Sequence, residues 1–138
     1  MPATDKEIEG LVRLSAQAAS EKKATDVVAI RVGEILVVTD YFLIATGAND
    51  RQVKAIGDAI EDTLREAGVK PIGREGEPEL KWLLLDFGDF VVHVFQPAER
   101  DFYRLERLWG DAPRVALPDS IAGPAAAKDE QAAAAGRA

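Results

Sequence analysis

At 138 residues and 47% hydrophobic content the chain suits one domain with one core and leaves no room for a second, catalytic one. It has no cysteine, which excludes disulfide staples, thiolate metal sites and thiol nucleophiles. A net charge of -7 argues against broad contact with nucleic-acid backbone, where lysine and arginine must replace counterions, and favours a basic partner.

Thr4, followed three residues later by Glu7, makes a capping box for a first helix running to about Lys22. Ile8, Leu11, Val12, Ser15, Ala18 and Ala19 fall on one stripe of it. The residues before it lack an apolar segment, and no run approaches the roughly 18 apolar residues of a membrane span, so a soluble, cytoplasmic protein is expected. Val27 to Val32 reads as a strand. After Gly33-Glu34 a second apolar run extends from Ile35 towards Thr46, with Tyr41 to Ala45 as its strand core. Asn49 or Asp50 can then cap a helix carrying Val53, Ile56, Ile60, Leu64 and Ala67 on one side, and Gly68 stops it.

Val69 to Arg74 is a candidate edge strand, and Glu75 to Glu79 an acidic loop. Trp82 to Phe87 and Phe90 to Phe95 are apolar runs flanking Gly88-Asp89, a dipeptide suited to a tight two-residue turn. That turn pairs Phe87 with Phe90, Leu85 with Val92 and Leu83 with Val94, placing six apolar side chains on one face. Trp82, Leu84, Asp86, Val91, His93 and Phe95 fall on the other, a mixture of aromatic and polar groups that a core would not readily accept. We read that second face as a docking surface, with Asp89 at the turn tip. Its field is acidic: Glu75 to Asp111 holds nine acids against four bases.

Pro97 opens a final helix whose Phe102, Leu105, Leu108 and Trp109 lie close to one stripe, ending at Gly110-Asp111. From Ala112 to Ala138 small residues and proline replace periodic apolar ones, so residues 1–111 form the expected domain and 112–138 a flexible tail. The fold expected is α/β, a mixed sheet of about five strands with helices on one face.

Several long words in this order identify a resemblance. Thr39-Asp40-Tyr41-Phe42, Ala45-Thr46-Gly47, Arg51 to Ile56, Trp82 to Asp89, Val91 to Pro97 and Phe102 to Asp111 closely resemble the Iojap-like ribosomal silencing factor family, across about Thr4 to Pro113. The resemblance implies a trimmed nucleotidyltransferase fold, sometimes dimeric. It also implies a factor that binds the large ribosomal subunit through ribosomal protein L-fourteen and sterically keeps the small subunit from joining, reducing translation under nutrient limitation. Two other readings remain beside it, a large-subunit assembly factor and a residual nucleotide-binding enzyme on the same fold.

Residue chemistry weighs against the enzyme. His93 is the only histidine, with Asp86 the sole acid on its face, so an interface or structural pair is favoured over catalysis. A zinc site lacks cysteine and a second histidine. Thr46 to Asp50 sits where phosphate loops occur but has one glycine and an aspartate, which suits helix capping. No D-x-D pair follows a Gly-Ser turn to hold catalytic magnesium, so no cofactor is expected. Arg100, Arg104 and Arg107 interleave with Glu99, Asp101 and Glu106 as a solvated, salt-bridged face, and Trp109 reads as a core residue.

Overall fold

The computed structural model describes residues 4–33, 39–118 and 120–121. Its elements are α1 (Asp5–Glu21), β1 (Thr25–Arg31), β2 (Tyr41–Thr46), α2 (Asp50–Glu66), β3 (Gly73–Glu75), β4 (Trp82–Asp86), β5 (Phe90–Phe95), α3 (Pro97–Tyr103), α4 (Leu105–Leu108) and β6 (Arg114–Val115). One sheet takes them in the order β3-β4-β5-β2-β1-β6. Only β2 and β5 run parallel, and the remaining neighbours are antiparallel.

Both long helices form where their end signals lie. The Thr4 hydroxyl accepts the Glu7 amide proton at 3.1 Å, and Asn49 Oδ1 accepts that of Gln52 at 2.9 Å. Gly68, at φ +85°, closes α2 with Gly68 N–H on the Arg65 carbonyl at 3.0 Å and Val69 N–H on Leu64 at 2.8 Å, the bond pair of a Schellman motif. Ile8, Val12, Ala16 and Ala19 of α1 face β1 and β2, where the alanines let the helix approach closely. The buried Ser15 hydroxyl there donates to the Leu11 carbonyl at 2.9 Å. From α2, Val53, Ile56, Ile60 and Leu64 reach the core, and Gly57 lies so near β4 that a Cβ would collide with Leu83.

The hairpin has the register its turn dictates. Phe87 N–H donates to the Phe90 carbonyl at 3.0 Å, Leu85 pairs with Val92 and Leu83 with Val94. All six of those side chains are buried in the core beneath α1 and α2. The opposite face has a smaller apolar cluster of its own: Val28, Ile30, Val32, Ile44, Phe95 and Ala112.

Three expectations change. The helix after Pro97 is broken at Arg104, whose φ of 47° is left-handed, so α4 folds back beside α3. This turn brings Glu106 to Arg100, Oε1 to Nε at 3.0 Å, a bond that one straight helix would not make. Consequently Phe102 and Leu108 are not on a buried stripe but 80% and 72% exposed, while Leu105 and Trp109 pack on the second sheet face. Helices therefore touch both faces rather than one. Second, the sheet has six strands, because Arg114–Val115 pairs with Ala29 and Ile30 of β1. The expected tail thus begins folded: Ala112 and Val115 are buried and Leu117 packs against the core, while residues 122–138 lie outside those described. Third, the edge strand is Gly73–Glu75, beginning later than Val69. Of the apolar run expected from Ile35 towards Thr46, residues 35–38 lie outside the described residues, while its expected strand core, Tyr41 to Ala45, is found in β2 (Tyr41–Thr46).

Candidate functional site

Strand alternation brings the sequence-selected residues together on the sheet face opposite α1 and α2. Trp82 stands across from Phe95, Leu84 from His93 and Asp86 from Val91. The parallel neighbour β2 adds Phe42 beside Val91 and Ile44 beside His93. Accessibility then divides this face into two halves.

The half nearest Pro97 is roofed. Trp82 stacks on Phe95 with centroids 4.9 Å apart and Tyr103 of α3 lies against Trp82 at 4.6 Å, while Trp109 meets Phe42 edge-on at 5.9 Å where the two halves meet. Phe95 is wholly buried, so it is a core residue of this half and cannot touch a partner as expected. Trp82 is half-buried, its indole face taken by Phe95 and Tyr103, which makes it a wall of the site more than a bare anchor. Trp109 is likewise half-buried against the smaller cluster.

The half nearest the turn is open. A groove of about 420 Å³ runs there, lined by Thr39, Phe42, Ile72, Leu84, Val91 and His93, with Asp86 and Gly88 at its turn end. Ile72 is 74% exposed, and its backbone N–H donates to the Asp86 carbonyl at 2.6 Å. Asp86 Oδ1 accepts the Gly88 N–H at 2.8 Å, so this carboxylate holds the turn while adding charge to the groove rim. Asp89 is exposed at the tip.

His93 bonds to Trp82 and not to Asp86: Trp82 Nε1 donates to His93 Nδ1 at 3.1 Å. Phe42 meets the imidazole edge-on at 4.7 Å. Burial pushes the His93 pKa down to about 4, leaving the ring neutral at pH 7. A neutral imidazole whose side-chain hydrogen bond, among the described residues, is to an indole N–H lacks the nucleophile or acid pairing of a proton-transfer site.

Thr39, Phe42 and Ile72 were missed by the sequence reading. Alternation within β2 could have marked Phe42, since its neighbours Tyr41 and Leu43 are the core-facing residues. Its place beside Val91 depends on the β2–β5 pairing, which no local pattern reveals.

The arginines are not all solvated. Arg100 is buried, its Nη1 donating to Thr46 Oγ1 at 2.8 Å in addition to its Glu106 pair, while Arg104 pairs with Asp101 at 3.3 Å. They line a separate cleft of about 750 Å³ at the carboxyl ends of β2 and β5, where Asp26, Asp101 and Glu106 offset their charge. At the neighbouring β2–α2 loop, Gln52 Oε1 accepts the Ala48 N–H at 2.6 Å and Asn49 caps α2, so the loop engages its own amides as a cap does. Among the described residues no three His, Asp or Glu side chains converge as metal ligands, and no helix is long and apolar enough to cross a membrane.

A family model described as "Ribosomal silencing factor during starvation" matches residues 5–138. This chain belongs to that family. Ribosomal silencing factor RsfS of Bacillus subtilis is 45% identical over 107 residues, covering 78% of this chain and 91% of that protein. A mouse relative named "Mitochondrial assembly of ribosomal large subunit protein 1" is 31% identical over 92 residues, 64% of this chain and 40% of that protein. A crystal structure of a Chromobacterium violaceum protein superposes with a TM-score of 0.73 at 35% identity, covering 85% of this chain and 97% of that one. Ribosomal silencing factors are regulatory proteins and not enzymes, and the role of this chain is ribosome-related, in silencing or assembly.

Proposed function

We propose that this ribosomal silencing factor family member binds the large ribosomal subunit in the cytoplasm through a basic ribosomal protein, ribosomal protein L-fourteen. Its bulk there keeps the small subunit from joining and represses translation. The observation that carries the reading is the open, apolar half of the second sheet face, rimmed by Asp86 and Asp89 on a chain of net charge -7. A cationic protein surface is steered to such a rim, and the apolar groove supplies contact area once it arrives. Little direct contact with ribosomal RNA is needed. Inhibition requires occupied space and no chemistry.

The test is a subunit-joining assay with purified large and small subunits. Wild-type protein is expected to lower the fraction of joined particles and to co-sediment with large subunits. Val91→Lys, which puts a cation into the groove on a half-buried strand position, should weaken co-sedimentation at least tenfold, about 1.4 kcal/mol. Unhindered joining alongside co-sedimentation would favour the second reading, large-subunit assembly, which the name of the mouse relative supports.

A further inference from the structure

The apolar groove lies at the turn end of the hairpin. At the other end of β5, where β2 and β5 finish side by side with Thr46 beside Phe95, the polar cleft of about 750 Å³ has a different chemistry. The chain leaves β2 for α2 on one face of the sheet and leaves β5 for α3 on the other. Such a divergence at the carboxyl ends of adjacent parallel strands opens a crevice, and in open α/β sheets that crevice is where small ligands bind.

Four arginines line the cleft against three acids, Asp26, Asp101 and Glu106. On a chain of net charge -7 this local excess of positive charge runs against the overall field. Two of the acids are already taken, Glu106 by Arg100 at 3.0 Å and Asp101 by Arg104 at 3.3 Å. Arg107 and Arg114, both exposed, have no ion pair among the described residues.

Arg100 lies deepest, at 9% exposure. Two of its nitrogens are held, Nε by Glu106 Oε1 and Nη1 by Thr46 Oγ1 at 2.8 Å. Its third nitrogen, Nη2, has no hydrogen bond among the described residues, yet it is not enclosed as Glu106 Oε2 is. A guanidinium fixed through two nitrogens, with the third open to a cleft, is preorganised for an oxygen anion.

We propose that this cleft binds a small phosphorylated molecule. Arg100 Nη2 donates to a phosphoryl oxygen at the base, and Arg107 and Arg114 supply the opposing charge. A phosphate monoester, with close to two negative charges at pH 7, suits two arginines that have no carboxylate of their own. An extended RNA backbone is disfavoured, because Asp26 shares the cleft and the surrounding chain is acidic. The site stands at the far end of β5 from the groove, and it does not depend on the ribosome-binding reading.

The test is titration of the full chain with inorganic phosphate and pyrophosphate, with chloride at matched ionic strength as control, followed by nitrogen-15 NMR. Saturable shifts at the Thr25, Thr46, Arg107 and Gly110 amides are expected with both phosphates and not with chloride. Combining Arg107→Gln with Arg114→Gln should weaken phosphate binding about tenfold or more while leaving the thermal melt unchanged. Should the double variant not fold, each single variant is expected to lose about threefold, and unchanged affinity in both overturns the proposal. It is also overturned by an absence of saturable shifts, by equal shifts with chloride, by wild-type affinity in a folded double variant, or by shifts confined to Leu84 and Val91. A short RNA without terminal phosphates that binds at the same amides as tightly as pyrophosphate overturns the small-molecule assignment in favour of a nucleic-acid backbone.

Discussion

The two faces of this sheet come from the same strands by the same alternation, yet they solve different problems. Under α1 and α2 the hairpin presents Leu83, Leu85, Phe87, Phe90, Val92 and Val94, with no polar side-chain atom among them. On the reverse, Trp82, Leu84, Asp86, Val91 and His93 mix aromatic, aliphatic and polar groups, and part of that surface stays open. A face that only needs to fold can be made of hydrocarbon alone. The reverse face also holds a buried polar atom, His93 Nε2, that the described residues leave without a hydrogen-bond partner.

The sharpest way to break this comparison is to truncate one residue from each face. Leu85→Ala, at a fully buried position, should cost about 3 kcal/mol of stability by denaturant melting. Leu84→Ala, one residue away and half-buried, should cost below about 1.5 kcal/mol. Similar costs at both positions would erase the distinction.

Acid should find the reverse face through His93. The unfolded imidazole titrates near 6.5 and the folded one at about 4, so the unfolded chain takes up the proton first as pH falls. Stability from this group is complete above pH 6.5 and should drop by about 3 kcal/mol on reaching pH 4. Comparing wild type with His93→Phe between pH 7 and pH 4 isolates the effect from that of the carboxylates, and parallel pH profiles would contradict it.

Smaller changes sharpen the picture. Trp82→Phe keeps an aromatic wall but removes the indole N–H, and should cost about 1 kcal/mol in a thermal or denaturant melt. It should also release the imidazole to sample both tautomers, visible in its nitrogen shifts. Asp89→Lys, at the exposed tip, should move stability by less than about 0.5 kcal/mol while slowing association with large subunits and flattening its salt dependence.

Much of this was legible before any coordinates. Gly88-Asp89 dictated the hairpin register, and with it which side chains share each face. Thr4, Asn49 and Gly68 marked helix ends because the groups that satisfy terminal amides and carbonyls are local. The family words were legible too. What stayed hidden depends on contacts distant in the chain. Parallel pairing of β2 with β5 is fixed only by the α2 crossover, so Phe42 was not placed beside Val91. The break at Arg104 involves neither glycine nor proline, and it is the tertiary Arg100–Glu106 pair that accompanies the fold-back. Phe95 looked available because its strand has the right parity, and only the placement of Tyr103 and Trp82 closes it off.

The two-residue strand Arg114–Val115 has a consequence out of proportion to its length. It shields the flank of β1, reinforced by Arg31 N–H on the Pro113 carbonyl at 2.7 Å. A chain cut back to Asp111 would bare a row of unsatisfied amides and carbonyls, a template on which a strand from another molecule could assemble. This short segment thus satisfies backbone groups of β1 at Ala29 and Ile30 that would otherwise stand open at the sheet edge.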